Sequence, residues 1–426
     1  MRPDKKGLKM KKQFVLGLVL LWILNLGYLS CEEFPAIGIG KISYPIVGTH
    51  QSQYFNESGK EISSPLSGSS LFGQDAHYPG LAPSYQNNGD GTVTDLNTAL
   101  MWTRDPGPKK KYSEIVAGAS TCTIGGYSDW RLPSIKELYS LILFSGTDPD
   151  PRIINTANLK PFIDQQYFLF QYGKSEEGDR IIDSQYATSS IYRSTTMNGS
   201  KTMFGVNFAD GRIKGYPIEA RAPMGEKKYY VHYVRGNPYY GNNRFSDNGD
   251  GTITDLATGL MWMKIDSGTL KAGDQKDGKL NWYQALEWAE KLSYADHDDW
   301  RLPNAKELQS IVDYSRCPDI TNSAAIDPVF QSSEILNEAN KKDFPFYWTN
   351  TTHINGQGGL SAVYITFGRA LGWMAPPNGG KKSLLDVHGA GAQRSDPKKG
   401  NPANYPEGHG PQGDVIRIYH MVRCVR

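Results

Sequence analysis

The sequence predicts an α+β protein made of two tandem copies of one domain, each with two helices packed on short antiparallel strands. Three observations carry this expectation. Residues 88–102 (NGDGTVTDLNTALMW) return at 248–262 as NGDGTITDLATGLMW, and residues 129–140 (DWRLPSIKELYS) return at 299–310 as DWRLPNAKELQS. Within each copy, turn-and-strand signals alternate with helical periodicity. The two offsets, 160 and 170, differ, so a globular domain has been duplicated with loop insertions rather than a short repeat stacked into a solenoid. Weaker echoes keep the same order: QYATSS (185–190) with FYWTNT (346–351), and YVHYVR (230–235) with MVRCVR (421–426).

Size and composition agree. A chain of 426 residues suits two or three domains, each able to bury a core. With 45 Gly, 25 Tyr and only 21% charged residues, short strands and many turns are favoured over a helical bundle or wholesale disorder. The balance of 46 Lys+Arg against 44 Asp+Glu lacks the basic excess of a nucleic-acid binder.

The first element is an address. Residues 1–12 carry six basic side chains and one acidic, residues 14–24 (FVLGLVLLWIL) are continuously apolar, and a short polar exit leads to Cys31. This is the layout of a secretory signal peptide over 1–30. A spanning helix needs about 20 apolar residues, and Asn25 and Gly27 interrupt this run. Cys31 stands where a bacterial lipoprotein is lipidated, although Tyr28 replaces the usual Leu; plain secretion is the alternative. Residues 31–43 then read as a tether, the first copy as 44–236 and the second as 240–426. Without residues 1–30 the chain has 40 basic against 43 acidic side chains, so the basic pI of about 8.1 belongs to the signal peptide.

Within a copy, NGDG reads as a hairpin turn and the alternation Thr252-Ile253-Thr254-Asp255-Leu256 as a strand. Ala257-Thr258-Gly259 makes the next turn, with Ala99 in place of the glycine in the first copy. Residues 280–294 place Trp282, Leu286, Ala289 and Leu292 on one helical face, and 111–120 is the shorter counterpart. After WRLP, Ser134-x-x-Glu137 and Asn304-x-x-Glu307 have capping-box form and open a second helix. Its buried stripe is Leu138, Leu141 and Ile142, or Leu308, Ile311 and Val312. Trp130 and Trp300 read as core anchors, and Arg131 and Arg301 as buried partners for a nearby carboxylate. Each copy closes with short strands ending in the VR-x-VR segment.

This series of motifs, NGDGT-[VI]-TD…LMW, DWRLP…KEL, YWT and a terminal VRCVR, resembles the domain of unknown function 1566, the Lcl C-terminal domain family (Legionella collagen-like protein C-terminal domain). The resemblance covers almost all of the chain after the signal peptide. It implies C-type-lectin-like domains with long loops, often displayed on bacterial surfaces, and in the named adhesin binding to sulfated polysaccharide; it does not imply catalysis. Cys424 fits the family's terminal cysteine, with Tyr233 there in the first copy, and on that basis a Cys317–Cys424 disulfide is expected, leaving Cys122 free or paired elsewhere.

The sites follow. Asp247, Asp250 and Asp255, like Asp90 and Asp95, are oxygen ligands of the kind calcium takes, but the EF-hand spacing is missing and a plain turn explains them. The EPN, QPD and WND signatures of calcium-bridged sugar binding are also missing, so no cofactor is expected and calcium is the one left open. Residues 371–414 form a connection far longer than most. Trp373 and Tyr405 offer flat faces for a sugar; His388, Arg394, Asp396, Lys398 and Lys399 offer donors and acceptors. A solvated insertion or an interface with the first copy would account for the same stretch. There is no GxSxG, Walker or dinucleotide motif, no metal-ligand spacing, and no reactive cysteine pair of the kind the formylglycine-generating group uses. The expectation is therefore an exported, lipid-anchored, noncatalytic binding module of the bacterial outer envelope. Its partner would be an extracellular glycan, favoured on resemblance, or an envelope protein in an assembly role. Membrane contact would run through the lipid anchor only, a homo-oligomer is compatible, and a hydrolase or modifying enzyme is the distant alternative.

Overall fold

The computed structural model describes residues 42–152, 155–219, 225–376 and 379–426. The expected signal peptide, Cys31 and most of the tether lie outside the described residues. The architecture is mixed and strand-rich, with five α-helices among the described residues, none long and apolar enough to cross a membrane.

Each copy begins as its motifs predict. Strands Tyr85–Asn87, Thr92–Asp95 and Leu100–Thr103 form an antiparallel meander, and Phe245–Asp247, Thr252–Asp255 and Met261–Met263 repeat it. Alternation turns Val93 and Trp102, or Ile253 and Trp262, wholly into the core. In the NGDG turn the positive φ angles fall on the two glycines, Gly89 and Gly91 or Gly249 and Gly251. Helices Tyr112–Ala119 and Trp282–Glu290 follow, the latter burying Trp282, Ala285, Leu286 and Ala289.

The WRLP motif then works identically in both copies. The indole N–H donates to a carbonyl six residues back, Trp130 to Ile124 at 3.1 Å and Trp300 to Tyr294 at 2.9 Å. The arginine backbone pairs with the terminal valine, Arg131 with Val234 and Arg301 with Val425. Its guanidinium reaches the glutamate that also caps the next helix. Arg301 holds Glu307 with two bonds of 2.7 Å while Glu307 accepts the Asn304 N–H at 2.8 Å, and Arg131, Glu137 and Ser134 do the same. One carboxylate thus fixes strand end, turn and helix start. The helices are Ile135–Tyr139 and Ala305–Ser310. Their first N–H groups are taken by Ser190 Oγ and Thr351 Oγ1, equivalent positions of the weaker echo.

The copies then fuse. A six-stranded sheet runs in the order Phe346–Asn355, Gly358–Thr366, Gln393–Pro397, Arg212–Pro217, Thr202–Asn207, Gln185–Tyr186. Three strands come from each copy, and the order is mirrored about the pair Gln393–Ile213. Gly215 lets the connection ahead of Gln393–Pro397 close on its strand, since a Cβ there would stand 2.7 Å from the His388 carbonyl oxygen. The KEL lysines cross between copies: Lys306 Nζ donates to the carbonyls of Ser140 and Gly48 at 2.8 and 3.1 Å, and Lys136 Nζ to Asn243 and Gly241 at 2.6 and 3.2 Å. The opening segment of the first copy packs on the second, with Gln51 exchanging two 2.8 Å bonds with the Thr352 backbone. The main hydrophobic core accordingly draws on both copies, from Val93 and Trp102 to Ile253 and Trp262.

The turn alanine is a point of strain. Ala99 sits at φ 58° where the second copy has Gly259 at φ 80°. An L side chain in this region costs about 1–2 kcal/mol, and glycine returns part of that as unfolded-state entropy. Ala99→Gly is expected to stabilise the protein by about 0.5–1 kcal/mol, read as a higher urea midpoint at unchanged m value. A lower midpoint would contradict the assignment.

Candidate functional site

A cleft of about 740 Å³ lies in the second copy. It owes its existence to two insertions. In the first copy the second and third strands of the shared sheet are joined by the short turn 208–211; in the second copy residues 367–392 intervene. They fold into a hairpin, Leu371–Met374 with Ser383–Asp386, that pairs Trp373 with Leu384. The Trp373 N–H donates to Gly413 at 2.8 Å, and Gly372 allows this approach, since a Cβ there would meet the Gln412 carbonyl at 2.5 Å. The second insertion holds a short 3-10 turn, Pro402–Asn404, capped by the Asn401 side chain, and delivers Tyr405. Lys382 ties the two together through Glu407 at 2.8 Å.

Asp274, Asp277, Gln284, Leu336, Glu338, Phe346, Ile416 and His420 also line the cleft. Arg417 lies over Phe346, 3.8 Å from the ring centroid, and is clamped by Glu338 at 2.8 and 3.0 Å. Its Nη1 has no partner. Burial pushes the Glu338 carboxyl up, but the Arg417 bond and charge outweigh it and hold it below the usual range. The cleft therefore combines aromatic and proline faces with a fixed ion pair and exposed carboxylates, the mixture that orients a polar ligand over apolar surface.

Of the residues singled out in the sequence, the structure brings Trp373 and Tyr405 into this cleft. The five charged or titratable ones do not line this cleft, which corrects that expectation. Residues 393–397 are a central strand, and its charged side chains are ion-paired within the fold and do not line this cleft. Arg394 is ion-paired with Asp414, which also accepts from His388 Nε2 at 2.9 Å. Asp396 is fully buried, accepts the N–H groups of Arg417 and Ile418 at 2.9 and 3.1 Å, and lies 3.1 Å from His420 Nε2. Lys398 Nζ donates to Thr352 at 2.8 Å and sits 3.9 Å from the Trp282 ring centroid. Burial holds the ammonium of Lys398 and the imidazoles of His388 and His420 below their ordinary pKa values. Lys399 is exposed and pairs with Glu57. Arg417, Glu338 and Tyr419 went unread, because nothing local distinguishes them from strand and turn residues.

The acidic turns hold no converging set. Asp247 pairs with Lys264, and Asp250 accepts the Thr252 N–H and hydroxyl at 2.8 and 2.6 Å. Asp255 is buried and accepts from Asn243, Arg244, Ala257 and Thr258. Among the described residues no group of three or more His, Cys, Asp or Glu could hold a metal ion.

The expected Cys317–Cys424 bridge is also corrected: both thiols are free and buried, in different core clusters. Cys317 precedes helix Pro318–Thr321 and exchanges bonds with Thr321. Cys424 answers a packing need. In the first copy Tyr233 reaches the Ile115 carbonyl at 2.8 Å over Gly118, where a Cβ would stand 2.3 Å from the hydroxyl. Counting from the helix N-caps, Trp288 replaces Gly118 in the second copy, so the small partner has to be Cys424. A thiol reagent is expected to label Cys122 in the native protein, and Cys317 and Cys424 only after unfolding. A Cys317–Cys424 peptide in a nonreducing digest would contradict this.

Comparison with known proteins agrees with the repeat. The profile of the Lcl C-terminal domain matches residues 91–235 and 251–380, one match in each copy. No curated protein and no solved structure matches the chain. With more than half of its residues inside those two matches, the chain belongs to the Lcl C-terminal domain family, as two tandem copies.

Proposed function

We propose that the protein is a noncatalytic binding module for an extracellular carbohydrate, with C-type-lectin-like domains, exported and held on the bacterial outer envelope by a lipid on Cys31. The observation that carries the ligand class is the meeting of Trp373 and Tyr405, from two separate insertions, in one cleft beside the Arg417–Glu338 pair. Sugars present C–H faces that pack on aromatic rings and hydroxyls that need fixed donors and acceptors. The cleft supplies both.

The noncatalytic reading is supported by the placement of the acid-base groups. The His388–Asp414 and His420–Asp396 pairs are buried in the fold, each histidine kept neutral by desolvation. Export and anchoring are supported by the basic, apolar and polar succession of residues 1–30 and the cysteine after it. Part of the cleft, including Tyr405 and Arg417, comes from residues beyond 380, past the end of the second family match, so the ligand depends on this chain's own additions as well as on the repeated frame.

A glycan array followed by calorimetry tests the reading. Trp373→Ala and Tyr405→Ala are each expected to weaken glycan binding about tenfold or more, the usual effect of removing an aromatic anchor, with an unchanged thermal midpoint. Absence of binding to any glycan, with a protein partner recovered on the same face, would overturn it.

A further inference from the structure

A second cavity, of about 320 Å³, opens where the two copies meet, and it shares only Ile416 with the cleft. Strands Arg212–Pro217 and Gln393–Pro397 line it from the two copies, and Asp148, Gln185, Asp210, Lys227 and Asp414 are also in its wall.

Its charges are densely placed for a site beneath the surface. Arg212 Nη2 lies 2.7 Å from Asp148 and its Nη1 3.7 Å from Asp210. Lys214 pairs with Asp210, and Arg394 Nη2 with Asp414. Those three cations and three carboxylates balance, and Arg180, also in the lining, is balanced by Asp183 at 2.9 Å. Lys227 then adds a positive charge with no carboxylate partner among the described residues, its Nζ 5.2 Å from the Tyr216 ring centroid.

What the ion pairs leave unfilled points to a ligand. Arg394 is nine-tenths buried, yet its Nε and Nη1 have no acceptor, and the Tyr216 hydroxyl has no partner. On the acceptor side, Asp210 Oδ1 and Gln185 Oε1 are also unpartnered. Buried polar groups are nearly always satisfied, and all four of these residues line one cavity. Surplus positive charge with open N–H donors calls for an oxyanion, and open carboxylate and amide oxygens call for hydroxyl donors. The volume is that of a small-molecule site.

We propose that this cavity binds a small polyhydroxy ligand bearing one oxyanion group, a sugar acid or sugar phosphate of monosaccharide size. Arg394, Tyr216 and Lys227 take the oxyanion, and Asp210 and Gln185 accept from its hydroxyls. The proposal does not rest on the glycan reading of the cleft.

Calorimetric titration of the mature chain at matched ionic strength tests it, with D-glucuronate, D-glucose 6-phosphate, D-glucose and acetate as separate titrants. Saturable one-to-one binding of glucuronate or of glucose 6-phosphate, about tenfold or more tighter than glucose and acetate, is expected, and the tighter of the two names the oxyanion. Lys227→Met and Tyr216→Phe, which leave the buried ion pairs intact, are each expected to weaken it about tenfold at an unchanged thermal midpoint, while Trp373→Ala leaves it unaltered. Binding of neither anion, equal binding of glucose or acetate, undiminished binding in both cavity variants, or loss in Trp373→Ala would overturn the proposal.

Discussion

The pairing of strand Gln393–Pro397 with strand Arg212–Pro217 is the constraint on which the rest of the molecule depends. Each copy alone would be a three-stranded unit ending in an open edge, with unpaired backbone groups exposed to any passing strand. Joining the third strands at Gln393 and Ile213 brings the two edges together. It also brings together side chains that neither copy could bury alone: Arg212 bonds Ser395 at 3.2 Å, and the Ile213 N–H donates to the Gln393 side chain at 3.3 Å. Around that seam Tyr192 reaches Asp386 at 2.8 Å, and the Phe204 and Tyr314 rings meet edge to face. The charged cavity is a consequence of the seam, since two charged strands now share one face.

The repeated motifs make sense as a frame that presents this seam. In both copies the WRLP arginine and the capping glutamate set the angle between the meander and the second helix, and the neighbouring lysine points across to the other copy. Burying an ammonium is costly unless fixed acceptors surround it. Here backbone carbonyls, with the Asn243 side chain for Lys136, fill that role, so each lysine serves as a peg that fits only when the partner copy is present.

Elements held by contacts close in sequence were legible from the residues alone. The hairpin turns, both capping boxes and the tryptophan anchors all follow from local spacing, as does a nearby carboxylate for each WRLP arginine, which the structure identifies as the capping glutamate. Strand Gln393–Pro397 was not. QRSDP has the polar look of a loop, and only charges supplied from far along the chain make its burial tolerable. For the same reason Arg394 and Asp396 looked like loop residues when they belong to a central strand that does not line the cleft. Trp373 and Tyr405 could be picked out because an aromatic side chain in a long insertion has no core of its own to join. Arg417 and Glu338 could not, because their role arises from a pairing across 79 residues. The terminal cysteine misled in a related way, since its size, set by Trp288, matters here and its redox chemistry does not.

Differential scanning calorimetry of the chain from residue 42 onward tests the fused sheet most directly. Because the copies share a sheet and a core, the account predicts a single transition with equal calorimetric and van't Hoff enthalpies. Two resolved transitions, or a fragment 240–426 that folds alone and protects the amides of 393–397 from exchange as the whole chain does, would contradict it.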